Sequence, residues 1–370
     1  TKGRKPMAAS PDPVATRSLA DVIASPEVAA ARGPGMGRGA MLSSIAGLGH
    51  YLPAETISNA DLASMVETSD RWITTRTGIS SRHRAATSQA TSDLAIEASR
   101  RALADAGVEA DAIDLILIAT ATPDSPVPAT ASIVQDALGA TNAGAMDLNA
   151  GCSGFLYGLH TADAMVRAGA AERVLLIGAE TLTRITDYAD RTTCILFGDG
   201  AGACVVAREG RMQVVHSGIG SDGSQADLIS VESGGSRSPA SADTVAAGQH
   251  YLRLDGGRVF RQAVRRMVQA GEEALAATGL TADDIAWVIP HQANARILSA
   301  VGEQIGIAVP KVVIDVAETG NTSAASVPIA LDRARAAGSF EDGQHIMLIA
   351  FGAGLTWACQ ILKLTAAPSA

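Results

Sequence analysis

Apolar residues change their spacing along this chain in a way that predicts alternating strands and helices. Ala145-Met146-Asp147-Leu148, Val174-Leu-Leu-Ile-Gly178 and Ile346-Met-Leu-Ile-Ala350 are short, nearly continuous runs of the kind that form buried strands. Residues 155–168 carry apolar side chains at helical spacing and predict a helix. Dense patterning begins at Met41. Residues 1–40 combine Lys2, Arg4 and Lys5 with repeated Pro, Ala and Gly around one helix-like stretch at 18–32, and read as a flexible extension.

The two halves repeat each other. At an offset of 172 residues, positions 101–119 lie over 273–291, and Ala102, Leu103, Ala104, Gly107, Ala110, Asp111 and Ile113 all recur. Each copy reads as a helix closed by a glycine and followed by a buried strand. Alanine-rich helices match easily by chance, but the shared glycine and Asp-x-Ile register is harder to match that way. With small gaps the repeat continues. Met146-Asp147-Leu148 and the helix at Cys152 correspond to Ile314-Asp315-Val316 and a helix beginning near Asn321, and the two helices end at Gly169 and Gly338. The implied organisation is α/β, with halves 41–213 and 214–370 packed about a pseudo-twofold axis. Cys152 and Asn321 then start equivalent helices, and His291 follows a strand whose counterpart ends near Ala119. Strand ends and helix starts of both halves would meet at one central place, where ligand sites of α/β folds form.

Composition narrows the classes. At 370 residues the chain has ample core, and its 47% apolar share comes with only 3% aromatics, so small side chains dominate packing. The net charge of −9 argues against general nucleic-acid affinity. Nothing approaches the roughly eighteen uninterrupted apolar residues of a membrane helix, and no charged segment followed by an apolar one marks a signal peptide. Four scattered cysteines without close spacing argue against a zinc site or a disulfide framework, and predict a reducing, cytoplasmic setting with no metal.

Chemistry concentrates at Cys152. It sits where an apolar strand turns into a helix, between Gly151 and Gly154, which would permit a tight turn and leave the sulfur unscreened. A helix N-terminus favours thiolate over thiol and would lower the cysteine pKa. A lone cysteine is more often a small buried hydrophobe, the reading that suits Cys194, Cys204 and Cys359 in their apolar runs. Thiolate catalysis also needs a proton manager and donors for developing charge. His291, just after a buried strand, and Asn321, at a helix start, are the candidates; the other six histidines lack such a setting. Gly198-Asp-Gly-Ala-Gly202 lacks the spacing of a phosphate loop and reads as a tight strand-associated turn. The Gly/Ser-rich residues 218–248 read as a long mobile connection that could cap a tunnel.

Six segments in order carry a family resemblance. Asp70-Arg-Trp-Ile-Thr-Thr-Arg-Thr-Gly-Ile79, Asn149-Ala-Gly-Cys-Ser-Gly-Phe155, Phe197-Gly-Asp-Gly-Ala-Gly-Ala203, His291-Gln-Ala-Asn-Ala-Arg-Ile297, Gly320-Asn-Thr-Ser-Ala-Ala-Ser-Val-Pro328 and Phe351-Gly-Ala-Gly-Leu-Thr-Trp357 resemble the ketosynthase III (3-oxoacyl-acyl-carrier-protein synthase III) family. The resemblance covers about residues 41–364 and implies a thiolase-like fold with α-β-α-β-α layers. It implies a Cys152, His291, Asn321 triad that condenses an acyl-CoA primer with malonyl-acyl carrier protein, using no cofactor. It also implies an oxyanion hole from the Cys152 and Gly354 N–H groups, and a homodimer. Trp72 and Arg191 match residues that sandwich the CoA adenine, and Arg76 and Asn294 match contacts further along CoA. Arg258, Arg261 and Arg296, with Arg265 and Arg266 nearby, resemble a patch that docks an acidic carrier protein.

Two departures stand out. Gly257 replaces an expected polar CoA contact, and Val127 falls where the family inserts a residue, often Phe, across a dimer into the acyl pocket. The smaller side chain predicts tolerance of primers longer than acetyl. The same triad would serve an acyltransferase or a starter-unit synthase of secondary metabolism. A thiolase or hydroxymethylglutaryl-CoA synthase fits less well, because those use a second cysteine or a glutamate where Asn321 stands. A noncatalytic scaffold for carrier-protein binding would not need the intact triad.

Overall fold

A computed structural model describes residues 42–366, and the expected extension at 1–40 lies outside the described residues. Strands β1 (Ser44–Tyr51), β2 (Glu55–Ser58), β3 (Ser81–Arg84), β4 (Leu115–Ala119), β5 (Gly144–Leu148), β6 (Arg173–Thr181) and β7 (Asp199–Ala207) belong to the first half. The second contains β8 (Met212–Ser221), β9 (Ile229–Val231), β10 (Leu252–Leu254), β11 (Ile285–Pro290), β12 (His345–Gly352) and β13 (Thr356–Leu364). Nine of these strands form one sheet in the order β11-β12-β13-β8-β1-β7-β6-β4-β5.

The sheet order shows the duplication directly. In the first half β4 runs parallel to β6, which pairs antiparallel with β7, which pairs antiparallel with β1. In the second, β11 runs parallel to β12, β12 antiparallel to β13, and β13 antiparallel to β8. The halves join through the short pairing of Ser44 and Ile45 with Gln213 and Met212. Residues 42–366 lie within one compact unit. One equivalence fails: Ile314-Asp315-Val316 is not a strand. The chain touches β11 there in a single bridge, Val288 to Val312, and then enters the short helix Val316–Thr319. The Gln292 side chain accepts the N–H groups of Asp315 and Val316, which takes these donors away from a sheet ladder.

Three helical layers cover the two sheet halves. Helices Gly154–Ala168 and Ser326–Ala336 share one apolar cluster with strands of both halves, including Leu156, Leu159, Val327 and Leu331 against Leu176 and Leu348. Helix Thr91–Ala106 packs on the outer face of the first half through Leu94, Ala98 and Ala102. Helices Gly256–Thr278 and Ala295–Ile305 cover the outer face of the second through Met267, Ala274 and Leu298. The layering is therefore α-β-α-β-α.

The scarcity of aromatics has a packing reason. A Cβ on Gly47 would stand 2.5 Å from Ala106 N, and one on Gly49 would stand 2.5 Å from Ala102 N. Sheet and helix approach backbone to backbone, so alanine and glycine replace bulk in the core. The same cause corrects the reading of residues 198–202. They enter central strand β7, not a turn, and a Cβ on Gly202 would stand 2.8 Å from Pro328 Cβ in the helix packed on that strand. Paired glycines mark the repeat in backbone conformation too: Gly107 and Gly279 end equivalent helices at φ +65° and +70°, and Gly169 and Gly338 at +72° and +74°.

Residues 218–248 are also more ordered than expected. Strand β8 continues to Ser221 against β13, and its Gly220 is required because Trp357 packs on it, 2.5 Å from where a Cβ would be. Strands β9 and β10 then form an antiparallel hairpin. No helix among the described residues is long and apolar enough to cross a membrane.

Candidate active site

Strand β5 ends at Leu148, and the chain turns through Gly151–Ser153 into helix Gly154–Ala168. Gly151 has φ +53°, and a Cβ there would stand 2.8 Å from Ala353 N. Gly154 has ordinary helical geometry; its missing side chain lets Ala119 Cβ and Ala324 Cβ approach, at 3.1 and 3.4 Å from a built Cβ. Gly151 therefore shapes the turn and Gly154 the packing. Cys152 emerges at this helix start into a cavity of about 510 Å³.

The thiol does not behave as the helix start predicts. Burial pushes it up to about 11, a hydrogen bond with Ser323 pulls it down, and the Glu180 carboxyl adds to the rise. The half-buried sulfur faces a largely apolar cavity and not bulk water, which disfavours the thiolate and outweighs the helix terminus. Cys194, Cys204 and Cys359 are buried free thiols, also raised by burial. Among the described residues no three His, Cys, Asp or Glu side chains converge as a metal-binding group.

His291 and Asn321 share that cavity wall with Cys152. His291 lies just past β11 and is 4% exposed, and burial lowers it to about 4, so the ring is neutral at physiological pH. Its Nδ1 stands 2.7 Å from Ser326 Oγ, which also accepts the Gln292 N–H at 3.2 Å. With the serine proton directed at Nδ1, the ring proton sits on Nε2, the tautomer that leaves a donor facing the cavity. Asn321 Oδ1 accepts the Ser323 N–H at 2.8 Å, which leaves its NH2 group free to donate. Asn321 follows Gly320 at φ +63°, as Cys152 follows Gly151 at +53°. Three other histidines have structural partners: His50 meets Asp332, His83 the Pro53 carbonyl and His160 Ser217.

The wall is otherwise largely apolar and includes Leu182, Ile195, Phe197, Leu254, Val259 and Phe351. Trp72, Arg76 and Asn294 also line it. Arg191 and Arg76 lie over the Trp72 ring at 5.0 and 4.4 Å, and Arg191 donates to the Glu67 carbonyl. Asn294 caps helix Ala295–Ile305 by accepting the Arg296 N–H, and donates to the Arg76 carbonyl at 3.0 Å. One amide hydrogen remains for a ligand. Arg258, Arg261 and Arg296 are exposed, and Arg296 lies 5.6 Å from the ring of Phe260, itself a cavity residue.

Two expected positions do not line this chain's own cavity, which for Val127 is what insertion across a dimer requires. Gly352 and Ala353 line the cavity, whereas Gly354 does not, and a Cβ on Gly352 would stand 2.5 Å from Cys152 N. The segment beside the nucleophile is thus centred one residue earlier than the motif reading placed it. Val127 is 84% exposed and lies outside the cavity of its own chain. The sequence reading also missed Ser323, Ser326, Gln292 and Glu180. Their signal was present, since the serines lie in the Asn321 motif, but small polar residues at a helix start read first as caps.

Comparisons agree with this geometry. Residues 146–223 match the profile of 3-oxoacyl-acyl-carrier-protein synthase III, and residues 275–364 match that of its C-terminal part. A beta-ketoacyl-acyl-carrier-protein synthase III from Caldanaerobacter subterraneus is 51% identical over 320 residues, covering 86% of this chain and 97% of its own length. The crystal structure of 3-oxoacyl-acyl-carrier-protein synthase III from Aquifex aeolicus matches with TM-score 0.81 at 40% identity, over 87% of this chain and 99% of that one. The priming beta-ketosynthase of the R1128 polyketide pathway matches with TM-score 0.81 at 37% identity, over 90% and 100%. With its thiolase-like α/β fold, the chain belongs to the 3-oxoacyl-acyl-carrier-protein synthase III family of acyltransferases.

Proposed function

We propose that the protein condenses an acyl-CoA primer with malonyl-acyl carrier protein, releasing carbon dioxide and a 3-oxoacyl-acyl carrier protein. The observation that carries this reading is the meeting of Cys152, His291 and Asn321 on one cavity, the last two each with a donor left free. Cys152 Sγ attacks the primer thioester carbonyl, and the CoA thiolate leaves. The Cys152 and Ala353 N–H groups are the proposed donors to the oxyanion, Ala353 taking the place first given to Gly354. The malonyl carboxylate then departs as carbon dioxide, leaving an enolate whose oxygen is held by His291 Nε2–H and Asn321 NH2. Each such donor is worth about 3 to 4 kcal/mol where charge develops. The enolate carbon attacks the acyl-Cys152 carbonyl, and the cysteine thiolate is expelled. These steps draw on the chain's own residues alone, without a metal or bound cofactor.

Trp72, Arg76 and Arg191 supply the CoA surface in this reading. A base between Trp72 and Arg191 needs two contacts of about 3.5 Å, so Arg191 must move out from its present 5.0 Å. Exposed Arg296 lies beside the cavity residue Phe260, and exposed Arg258 and Arg261 flank that residue in the chain, which supports delivery of a thioester by an acidic carrier protein at this side. A homodimer is proposed through the open sheet edge at β5. Exposed Met146 lies on that strand, and exposed Val127 and Ile133 flank the start of helix Thr130–Leu138, which Asp147 of β5 caps. Free thiols fit a cytoplasmic setting.

A second reading, priming of a polyketide with a specialised starter, is favoured by the match to the R1128 priming ketosynthase. Intact-mass measurement after exposure to acyl-CoA tests the first half-reaction, and carbon dioxide release with malonyl-acyl carrier protein tests the second. Acyl transfer without decarboxylation would overturn the condensing assignment. A panel of acyl-CoA primers separates housekeeping initiation from specialised priming, and efficient use of chains longer than acetyl would support the pocket reading of Val127.

A further inference from the structure

Arg82, on β3, is the largest fully buried side chain among the described residues. Burial lowers it to about 10, so it remains a cation at physiological pH. Its partners are neutral: Nη1 donates to the Ile57 carbonyl at 3.1 Å and to Asn59 Oδ1 at 3.0 Å, Nη2 donates to the Ile195 carbonyl at 2.8 Å, and Nε has none. A buried charge without an opposite charge is costly, and an apolar side chain of that length would suit the core better. What the guanidinium adds is a fixed geometry between chain segments.

Those segments hold Asn321. The chain runs from Ile195, gripped by Arg82, into the bridge between Phe197 and Asn321. There the Asn321 N–H donates to the Leu196 carbonyl at 2.8 Å, and the Gly198 N–H donates to the Asn321 carbonyl at 3.0 Å. The arginine stem fills the space beside this bridge, its Cβ 3.0 Å from where a Cβ on Gly198 would stand and 2.8 Å from one on Gly320. Two preceding residues hold the short helix that leads into Gly320. The Ser80 N–H and hydroxyl both donate to the Ala317 carbonyl, at 2.8 and 2.7 Å, and the Ser81 hydroxyl donates to the Glu318 carbonyl at 3.3 Å. Residues 80–82 therefore fix the Asn321 backbone from two sides. Its side chain is oriented within its own loop by the Ser323 N–H, so the amide goes where the backbone goes.

We infer that Arg82 is a positioning residue for decarboxylation: through Ile195 and its contact with Gly198 and Gly320, it sets Asn321 so that the amide NH2 meets the thioester oxygen where charge develops. The inference rests on the enolate-donor reading of Asn321 above. Arg82 lies outside the cavity wall, so it touches no reacting atom. Cys152 is held by other contacts, with Gly151 packed on Ala353 and Gly352 packed on the Cys152 backbone, so acylation does not depend on Arg82. The CoA surface is also secured separately. Asn59 Nδ2 donates to Asp70 Oδ1 at 2.9 Å and to the Ile79 carbonyl at 2.8 Å, which ties down the helix Asp70–Thr77 carrying Trp72 and Arg76. Arg82 uses only the acceptor of Asn59, and these donor bonds survive its loss.

The test compares native protein, Arg82→Lys and Arg82→Met, each also combined with Asn321→Ala. Lysine keeps the charge and the stem beside both glycines but offers one nitrogen where the guanidinium spans two carbonyls, and methionine keeps the stem alone. Acyl-enzyme formation at saturating acetyl-CoA and carbon dioxide release with malonyl-acyl carrier protein are read separately by rapid quench, with thermal unfolding alongside. Arg82→Lys should lose about tenfold in decarboxylation and Arg82→Met about 100-fold, with acylation within about twofold of native. In the Asn321→Ala background neither change should slow decarboxylation further, because the amide they misplace is gone. Equal loss in both steps would overturn the inference, as would a loss in the Asn321→Ala background as large as in the native one. Native decarboxylation in Arg82→Lys would also overturn it, and this milder variant decides the matter if methionine prevents folding. Failure of the native acyl-enzyme to release carbon dioxide would instead overturn the function on which the inference rests.

Discussion

Ser326 Oγ lies 2.7 Å from His291 Nδ1 and accepts the Gln292 N–H, so one hydroxyl holds both the ring and the loop that carries it. Asn321 is oriented from the same segment, through the Ser323 N–H. The two proposed enolate donors are therefore set by the start of one helix.

Ser326→Ala should lower decarboxylation about tenfold while Cys152 is still acylated, because the ring loses the partner that places its proton on Nε2. Asn321→Ala should slow decarboxylation by about 100-fold or more, again with acylation retained. Rapid-quench measurement of acyl-enzyme formation and carbon dioxide release separates the steps. Equal loss of both in either variant would remove the residue from its assigned step.

Trp72→Ala and Arg191→Ala should raise KM for acyl-CoA about tenfold with little change in kcat, since the stacked pair at 5.0 Å lies apart from the reacting atoms. An acyl thioester of N-acetylcysteamine has no adenine, and both variants should use it as the native protein does. A matching loss with that short substrate would show that the pair supports structure, not CoA.

Stability should fall as pH drops from about 6.5 towards 4. Burial lowers His291 to about 4, so in this window the unfolded chain binds a proton that the folded ring refuses. The cost grows on acidification and amounts to about 2 kcal/mol between pH 7 and pH 5 for this group. Urea unfolding of native and His291→Gln proteins at both pH values reads the effect; an identical change in the two proteins would rule out His291 as the source.

Gly178→Ala should destabilise the fold by about 1 to 3 kcal/mol, because the new Cβ would stand 2.4 Å from the Ala324 carbonyl oxygen and neither backbone can yield freely. Native stability by thermal unfolding would show that the helix start can slide on β6.

The sequence by itself determined the duplicated α/β plan. Apolar runs such as 174–178 and 346–350 announce strands, glycines 107 and 279 close matching helices, and both positions bear out because each signal is local in the chain. Cys152, His291 and Asn321, which share one cavity wall, each sit at the end of a patterned segment where a strand stops or a helix starts. Tertiary structure decided what burial and distant neighbours control. It raised the Cys152 thiol that the helix start alone would have lowered, drew Gly200 and Gly202 into a central strand covered by Pro328, and put Gly352 and Ala353 on the cavity wall beside Cys152. It also set Gly178 against the Ala324 carbonyl, 146 positions away in the numbering. Periodicity records which face a residue turns to its own element, whereas hydration and close backbone contact depend on what the other half of the chain brings to that face.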